Sequence, residues 1–461
     1  MRAVTAAGAK RLPNLEPIDL GTASRVLIVG LGKTGLSVAR FLAKQGIRFA
    51  VVDSRDVPPG LDELRKHHPD AAVFVGGFEA TAFAAATHLV VSPGVPVDIR
   101  PVQVAASRGV RILGDIDLFA CDAAAPIIGI TGSNGKSTVT SLLGQMAEAD
   151  GRRVKVGGNL GTPMLDLLDP GAELYVLEFS SFQLERAALL DCAAATVLNV
   201  TPDHMDRYAD LDSYAAAKAR IFHGHGAMVL NRDDPRVAAM ADSQRHCLWF
   251  GLGEHAGLDF RLATWNGKDW LMVRDEPVLP AAEVRIRGRH NLSNALAALA
   301  LGTATGLSRR AMVDALRLFP GLDHRMQWVA EIQGVTYIND SKATNVGACE
   351  AALSGLTEKA VLIAGGDGKG ADFSSLVPLS REKVRAAVLM GRDAPLLAEV
   401  LCDVIPVTRV ANMQEAVAAA RRWAQPGDTV LLAPACASLD QYRDYQERGQ
   451  VFVDAVRNLA P

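Results

Sequence analysis

A seven-residue run, Gly132-Ser133-Asn134-Gly135-Lys136-Ser137-Thr138, constrains this chain more than any other stretch. It falls directly after the apolar segment Pro126–Ile130. Beyond it, Val139, Leu142, Leu143, Met146 and Ala147 recur at helical spacing. Strand, glycine turn and helix are what a phosphate loop requires. The glycines let backbone N–H groups turn inward, and the helix N-terminus adds partial positive charge. Lys136 can reach β- and γ-phosphate oxygens, and a hydroxyl from Ser137 or Thr138 can ligate Mg²⁺. The usual spacing wants a glycine five residues before Gly135, where this chain has Ile130. The nearest glycine is Gly129, so the loop is a compact variant.

Short buried-type apolar runs alternating with helical periods extend over the whole chain and predict open parallel sheets. At roughly 150 residues per domain, 461 residues suggest about three. Residues 1–24 read as a loose extension. A first Rossmann-like α/β unit spans 25–122, with strands at Arg25–Val29, Arg48–Val52, Ala72–Val75 and Leu89–Val91. A central phosphate-loop unit covers 123–321. Its strands are expected at Pro126–Ile130, Leu174–Leu177, Thr196–Val200 and Met228–Leu230, with β-hairpins within Trp249–Ile286. Its helices are expected at Ser213–Phe222, Asn291–Thr305 and Arg309–Leu318. The break at Pro320-Gly321 opens a third Rossmann-like unit, 322–461, with strands at Val335–Ile338, Ala360–Ile363, Ala386–Met390, Val404–Val407 and Thr429–Leu432.

Composition excludes some classes. Lys+Arg total 48 against 51 Asp+Glu, a formal charge of −3, which supplies no basic stripe for nucleic acid. Aromatics at 5% give few stacking platforms. The six cysteines lie far apart, as reduced thiols of a cytoplasmic protein would, and without metal-ligand spacing. No run approaches the ~18 apolar residues of a membrane span, and residues 1–25 lack a signal-type apolar core.

Other strand ends carry polar groups. Gly30-Leu31-Gly32-Lys33-Thr34-Gly35 with Asp53 fits a dinucleotide fingerprint, another diphosphate, or a turn that needs glycine only for packing. Glu178, ending the strand Leu174–Leu177, is placed to hold Mg²⁺ directly or through water. His204, in Thr201–Arg207, is a candidate metal ligand or substrate contact, whereas Lys218 on its helix is by default a solvated lysine. Asn291 and Asn294 either cap a helix or bond a base or ribose. Arg325 at the unit junction could swing onto a γ-phosphate. Asn339–Asn345, Gly365–Lys369 and Pro434–Tyr442 end strands of the third unit and suit a carboxylate-bearing ligand, or are simple turn chemistry.

As a set, Gly132–Thr138, Tyr175–Gln183, Asp203–Tyr208, Asn339–Asn345 and Pro434–Gln441 resemble the Mur ligase family, over about Val26 to Asn458. The short phosphate loop fits that family's pattern. The resemblance implies a cytoplasmic, monomeric, ATP-dependent amide ligase of peptidoglycan precursor synthesis, with ATP and two Mg²⁺ as cofactors. Its expected partners are UDP-N-acetylmuramoyl-L-alanine and D-glutamate, with neither nucleic acid nor membrane. It reassigns the first glycine loop, so that Lys33, Thr34, Ser54, Arg55 and Ser92 hold UDP rather than NAD. Asn159 and His204 then lie nearer the muramoyl-alanine end. Gly132 to Thr138, Asn291, Asn294, Arg325 and Asp340 face ATP, while Lys342, Thr344, Lys369, Ser438, Leu439 and Tyr445 lie on the D-glutamate side. Tyr445 stands where some relatives carry Phe. Metal is held by Ser137, Glu178, His204 and Lys218, the last as a carbamate. Lys136, His204 and Lys218 are the implied catalytic residues. Another Mur-type ligase taking a different amino acid such as L-alanine, a folate-type glutamyl ligase, a NAD-dependent oxidoreductase and a nucleotide-sensing protein are the alternatives.

Overall fold

A computed structural model describes residues 18, 20–21, 24–286 and 288–459. Most of the expected extension 1–24 therefore lies outside the described residues. The first sheet holds β1 (Val26–Val29), β2 (Phe49–Val52), β3 (Ala72–Phe74), β4 (His88–Val91) and β5 (Arg111–Leu113). All its pairs are parallel, in the order β3-β2-β1-β4-β5. The Gly30–Gly35 loop leaves β1 where the strand order reverses, which is where open α/β sheets bind ligands.

The second sheet comprises β6 (Ile127–Thr131), β7 (Val154–Gly158), β8 (Leu174–Glu178), β9 (Ala194–Val197), β10 (Ala227–Asn231), β11 (Cys247–Gly251), β12 (Phe260–Trp265), β13 (Lys268–Val273) and β14 (Glu276–Pro280). Its order is β14-β13-β12-β11-β10-β9-β6-β8-β7. The strands run parallel except for the antiparallel β12–β13–β14 meander, the hairpins expected from alternation. Strand β6 lies between β8 and β9, so the loop 132–138 also opens at a switch point.

Residues of the central strands alternate between two cores, as a pleat requires. Tyr175 and Leu177 face one cluster; Val176, Ile128 and Ile130 face the other with Val139, Leu142 and Leu296. The Tyr175 cluster runs on into the first unit through Phe41, Ile116 and Phe119, and the Phe119 and Tyr175 rings meet edge-on at 5.0 Å. Arg40 pairs with Asp166 across the same junction. The first two units are thus bonded through a shared core.

The third sheet holds β15 (Gln327–Ile332), β16 (Val335–Asn339), β17 (Ala360–Ala364), β18 (Val384–Leu389), β19 (Val407–Arg409) and β20 (Thr429–Leu432), ordered β15-β16-β20-β17-β18-β19. Strand β15 is antiparallel to β16; the rest are parallel. Hairpins were expected from Trp249 onward, but β11 pairs parallel with both β10 and β12. Three further strands were not anticipated at all: β5, β7 and β15. The first is only three residues long, the second ends in two glycines, and the third exposes Trp328 instead of alternating cleanly. The strand expected at 404–407 begins only at Val407. The helix expected at 213–222 is an α-helix over Leu211–Ala219 followed by a 3₁₀ turn, Arg220–Phe222.

Candidate active site

The phosphate loop begins at the end of β6 and leads into the helix Lys136–Ala149. Gly135 has φ +84, and a Cβ there would lie 2.4 Å from Asn294 Oδ1, so both backbone and space require glycine. The loop is braced from β9. The Asn134 N–H donates to Asn199 Oδ1 at 2.8 Å, and Ser133 Oγ donates to the Thr201 carbonyl at 2.9 Å. Asn199 escaped the sequence reading because it falls inside the strand expected at 196–200, which ends at Val197, while Thr201 was noted only as the start of its segment.

Three expected residues meet at the loop's hydroxyl. Ser137 Oγ donates to Glu178 Oε2 at 2.6 Å, and Arg325 Nη2 donates to Ser137 Oγ at 2.6 Å. Asn159 Nδ2 donates to the other Glu178 oxygen at 2.7 Å. Glu178 is buried, so this amide aims a carboxylate that has little water around it. Lys136 Nζ turns back onto the carbonyls of Gly132 and Ser133, at 2.9 Å each. Burial lowers its pKa, partly opposed by Glu178 and Asp203.

Lys218 is not the solvated lysine expected by default. It is 1% exposed, because its helix turns Tyr214, Ala215, Ala217 and Lys218 inward. Its Nζ donates to the Gly132 carbonyl at 2.9 Å and sits 4.2 Å from the centre of the Tyr214 ring. Burial, with the Lys136 charge adding to it, drives this amine well below its ordinary pKa. A buried neutral amine is nucleophilic.

His204 adopts φ +59 in the loop that follows β9, with its ring 4.8 Å from Phe182 and Nε2 3.7 Å from Asp203 Oδ2. Burial lowers its pKa, which favours the neutral imidazole that can ligate a metal or accept a proton. Asn291 is no cap: the helix Arg289–Ala304 is capped by Gly288, and buried Asn291 accepts from Asn294 Nδ2 at 3.1 Å.

The third unit comes down onto this loop. Lys369 Nζ lies 3.7 Å from Asp203 Oδ1. Asn345 Nδ2 bonds Asp203 Oδ2 at 3.2 Å and approaches Asn134 Oδ1 at 3.4 Å. Asp340 is buried, accepts the Met326 N–H at 3.2 Å, and is pushed up to about 7 by burial. Lys342 Nζ lies 4.3 Å from the Tyr445 ring centre, and burial together with the Arg325 and Lys136 charges brings it to about 8. The Thr344 N–H donates to the Lys342 carbonyl, holding that turn closed at 2.7 Å. Ser438 is buried, whereas Leu439 is 71% exposed at the rim.

In the first unit, both Asp53 oxygens are occupied. Leu31 N–H donates to one at 2.7 Å, and Arg55 donates from Nε and Nη2 at 2.9 and 2.7 Å. The acidic residue that would read a dinucleotide ribose is instead bound to its own glycine loop, which weighs against NAD. Ser92 Oγ donates to the Gly30 carbonyl at 2.8 Å, while Lys33 and Ser54 are exposed and Thr34 half-buried at the same strand ends.

Three α/β units, with a phosphate loop at the head of the middle sheet and strand ends of the third closing on it, define a multidomain nucleotide-binding protein. Family profiles match at residues 24–114 (Mur ligase MurD-like, N-terminal domain), 130–302 (Mur ligase middle domain) and 324–436 (Mur ligase, glutamate ligase domain). The chain is 64% identical over 443 residues to a UDP-N-acetylmuramoylalanine–D-glutamate ligase of Methylococcus capsulatus, covering 96% of each chain. It is 54% identical to the ligase of the same name from Nitrosococcus oceani, over 96% of this chain and 99% of the relative. The chain belongs to the Mur ligase family. Among solved structures, a UDP-N-acetylmuramate-alanine ligase from Thermotoga maritima shares the fold, with TM-score 0.59 and 18% identity over 95% of this chain and all of that one.

Proposed function

We propose that the protein joins D-glutamate to UDP-N-acetylmuramoyl-L-alanine at the expense of ATP, in peptidoglycan precursor synthesis. The observation that carries the reaction class is the closure of Arg325, Asn345 and Lys369 over a phosphate loop backed by buried Glu178 and Lys218. The amino acid and the UDP substrate rest on the names of the relatives. The assignment includes a cytoplasmic monomer, the divisions 25–122, 123–321 and 322–461, and the residue roles implied by the family resemblance.

Charge dictates the mechanism. A substrate carboxylate attacking the γ-phosphorus brings two anions together, and Lys136, freed from its carbonyls, lies where it can offset the repulsion. An oxygen–phosphorus bond forms, ADP leaves, and an acyl phosphate results. The D-glutamate amine then adds to its carbonyl carbon, and the tetrahedral adduct expels inorganic phosphate. The amine must shed a proton, for which neutral His204 is the candidate acceptor. Water would hydrolyse the acyl phosphate, and the closed third unit shields against that.

Magnesium fits the donors present. The Ser137 hydroxyl and Glu178 carboxylate are hard oxygen ligands 2.6 Å apart, in keeping with a cation that takes few protein ligands and completes its shell with phosphate and water. A carbamate on Lys218 would add a second set, which His204 joins only if its one free lone pair is not the acceptor of the amine's proton. When bound, the metal neutralises charge on the transferring phosphate.

Phosphate release should require ATP, Mg²⁺, the UDP-linked acid and D-glutamate together, with L-glutamate, L-alanine and meso-diaminopimelate inactive. Lys136→Ala should abolish it. Equal turnover with any other amino acid overturns the assigned acceptor, and phosphate release without the UDP-linked acid overturns the ligase assignment.

A further inference from the structure

One buried cation of the third unit has no place in this mechanism. Arg448, on the helix Tyr445–Arg457, is 2% exposed, and among the described residues it forms no ion pair with a carboxylate. Its fork is taken up by backbone and one hydroxyl. Nε donates to Ser341 Oγ at 3.0 Å and Nη2 to the Ser341 carbonyl at 2.8 Å. Nη1 donates to the Cys436 carbonyl at 3.1 Å and approaches the Gly365 carbonyl at 3.5 Å. Burial lowers the guanidinium only to about 10, so it remains charged at neutral pH.

Those acceptors belong to three different loops, following β16, β17 and β20. Each loop carries residues assigned to the amino-acid side of the cleft. The Ser341 carbonyl is the peptide group joined to Lys342. Ser341 Oγ also donates to the Tyr445 carbonyl at 2.8 Å, and the Tyr445 ring lies under Lys342. Cys436 precedes Ala437, which exchanges two backbone hydrogen bonds with Asp367, at 2.8 and 3.0 Å. Lys369 follows two residues later, and its N–H donates to Asp367 Oδ1 at 3.0 Å. Lys342, Lys369, Ser438 and Tyr445 therefore all hang from groups that one guanidinium bonds directly or through a single intermediary.

We infer that Arg448 is a positioning residue that locks three strand-end loops into one wall and so sets the binding geometry for the incoming amino acid. The inference rests on the proposed amino-acid cleft. A buried charge without a direct ion-pair partner is costly to maintain, and a planar five-donor fork holds acceptors on three loops in one fixed geometry, which the flexible point charge of a lysine does not. Its charge, opposed only through space by Asp440, also raises the potential of a cleft that must receive a dicarboxylate.

Arg448→Lys keeps the charge and removes the fork. It should raise KM for the amino acid on the order of tenfold or more, with KM for ATP and for the UDP-linked acid changed less than about twofold. Ser341→Ala, a milder cut in the same network, should move the same constant in the same direction. In both variants, amide hydrogen exchange should quicken in 339–345, 365–369 and 434–442 and stay unchanged in 132–138. Exchange is read whether or not the assigned substrates turn over, so a wrong substrate does not excuse the loops. Unchanged exchange in those loops overturns the inference. So does an equal rise in all three KM values, or an amino-acid KM unmoved in Ser341→Ala and Arg448→Lys alike.

Discussion

Lys136 and Lys218, 82 positions apart in the chain, direct their amines at one oxygen: each Nζ lies 2.9 Å from the Gly132 carbonyl. Two cations sharing a buried acceptor repel each other, and the more deeply buried one yields its proton. Burial with the neighbouring charge lowers both amines, and Lys218 well below its ordinary pKa, which favours the neutral form at Lys218 and leaves Lys136 the cation facing an anion. The pairing explains how one loop can hold both an activating cation and a nucleophilic amine.

A stability prediction follows from the Lys218 shift. Its folded-state pKa is depressed below 10.5, so the folded protein binds fewer protons than the unfolded chain between those values. Stability from this group is complete above pH 10.5 and is lost as pH falls toward the folded value, leaving a cost at neutrality. Lys218→Met removes that cost. In bicarbonate-free buffer the variant should melt at a higher temperature than the parent at pH 7.5, with the gap closing toward pH 10, while ligation falls by about a hundredfold or more. A lower melting temperature at pH 7.5 would contradict a neutral buried amine.

The same amine should react with dissolved CO₂: a nitrogen–carbon bond forms, a proton leaves, and the site turns anionic. Protein equilibrated with ¹³C-bicarbonate should show a carbamate carbon resonance by NMR that is missing from Lys218→Met. Identical spectra would remove Lys218 from the metal ligands.

Asp340 gives the opposite sign. Its folded pKa is raised from 3.8 to about 7, so the folded state holds a proton that the unfolded chain has lost across that window. Stability from this group is complete below pH 3.8 and drains away as pH rises to about 7. Asp340→Asn retains an oxygen for the Met326 N–H and no longer ionises. It should stabilise the protein at pH 8, on the order of a few kcal/mol at most, and have almost no effect at pH 4. Thermal melts at the two pH values check this, and an equal shift at both would refute the buried-acid account.

Much of this was legible in the sequence because strand, glycine and helix follow one another locally. The loop 132–138, Glu178 at a strand end and the three α/β units all rest on such short-range signals. Without the family resemblance Lys218 would be taken for a solvated lysine, because its burial depends on how the helix 211–219 packs against the loop, which periodicity over nine residues does not specify. Arg448 was missed for a related reason. Its acceptors are carbonyls of loops as far as 107 positions away, and carbonyls carry no residue identity. Spacing left Asn291 open between a cap and a nucleotide contact, and Gly288 with φ +97, which starts the helix, removes the first.

Asn345 separates closure from local folding. Its Oδ1 caps the helix Val346–Ser354 through the Ala348 N–H at 2.8 Å, while its Nδ2 reaches across to Asp203 and Asn134. Asn345→Ser keeps a capping oxygen but is too short to cross the gap, so stability should change by less than about 0.5 kcal/mol. Closure should weaken, and water should then compete with the amine for the acyl phosphate. The expected signature is more than one phosphate released per amide bond formed, with the excess falling as amino-acid concentration rises. Parallel phosphate and product assays measure that ratio directly. A ratio that stays at one would mean the cross-unit contact does not guard the intermediate.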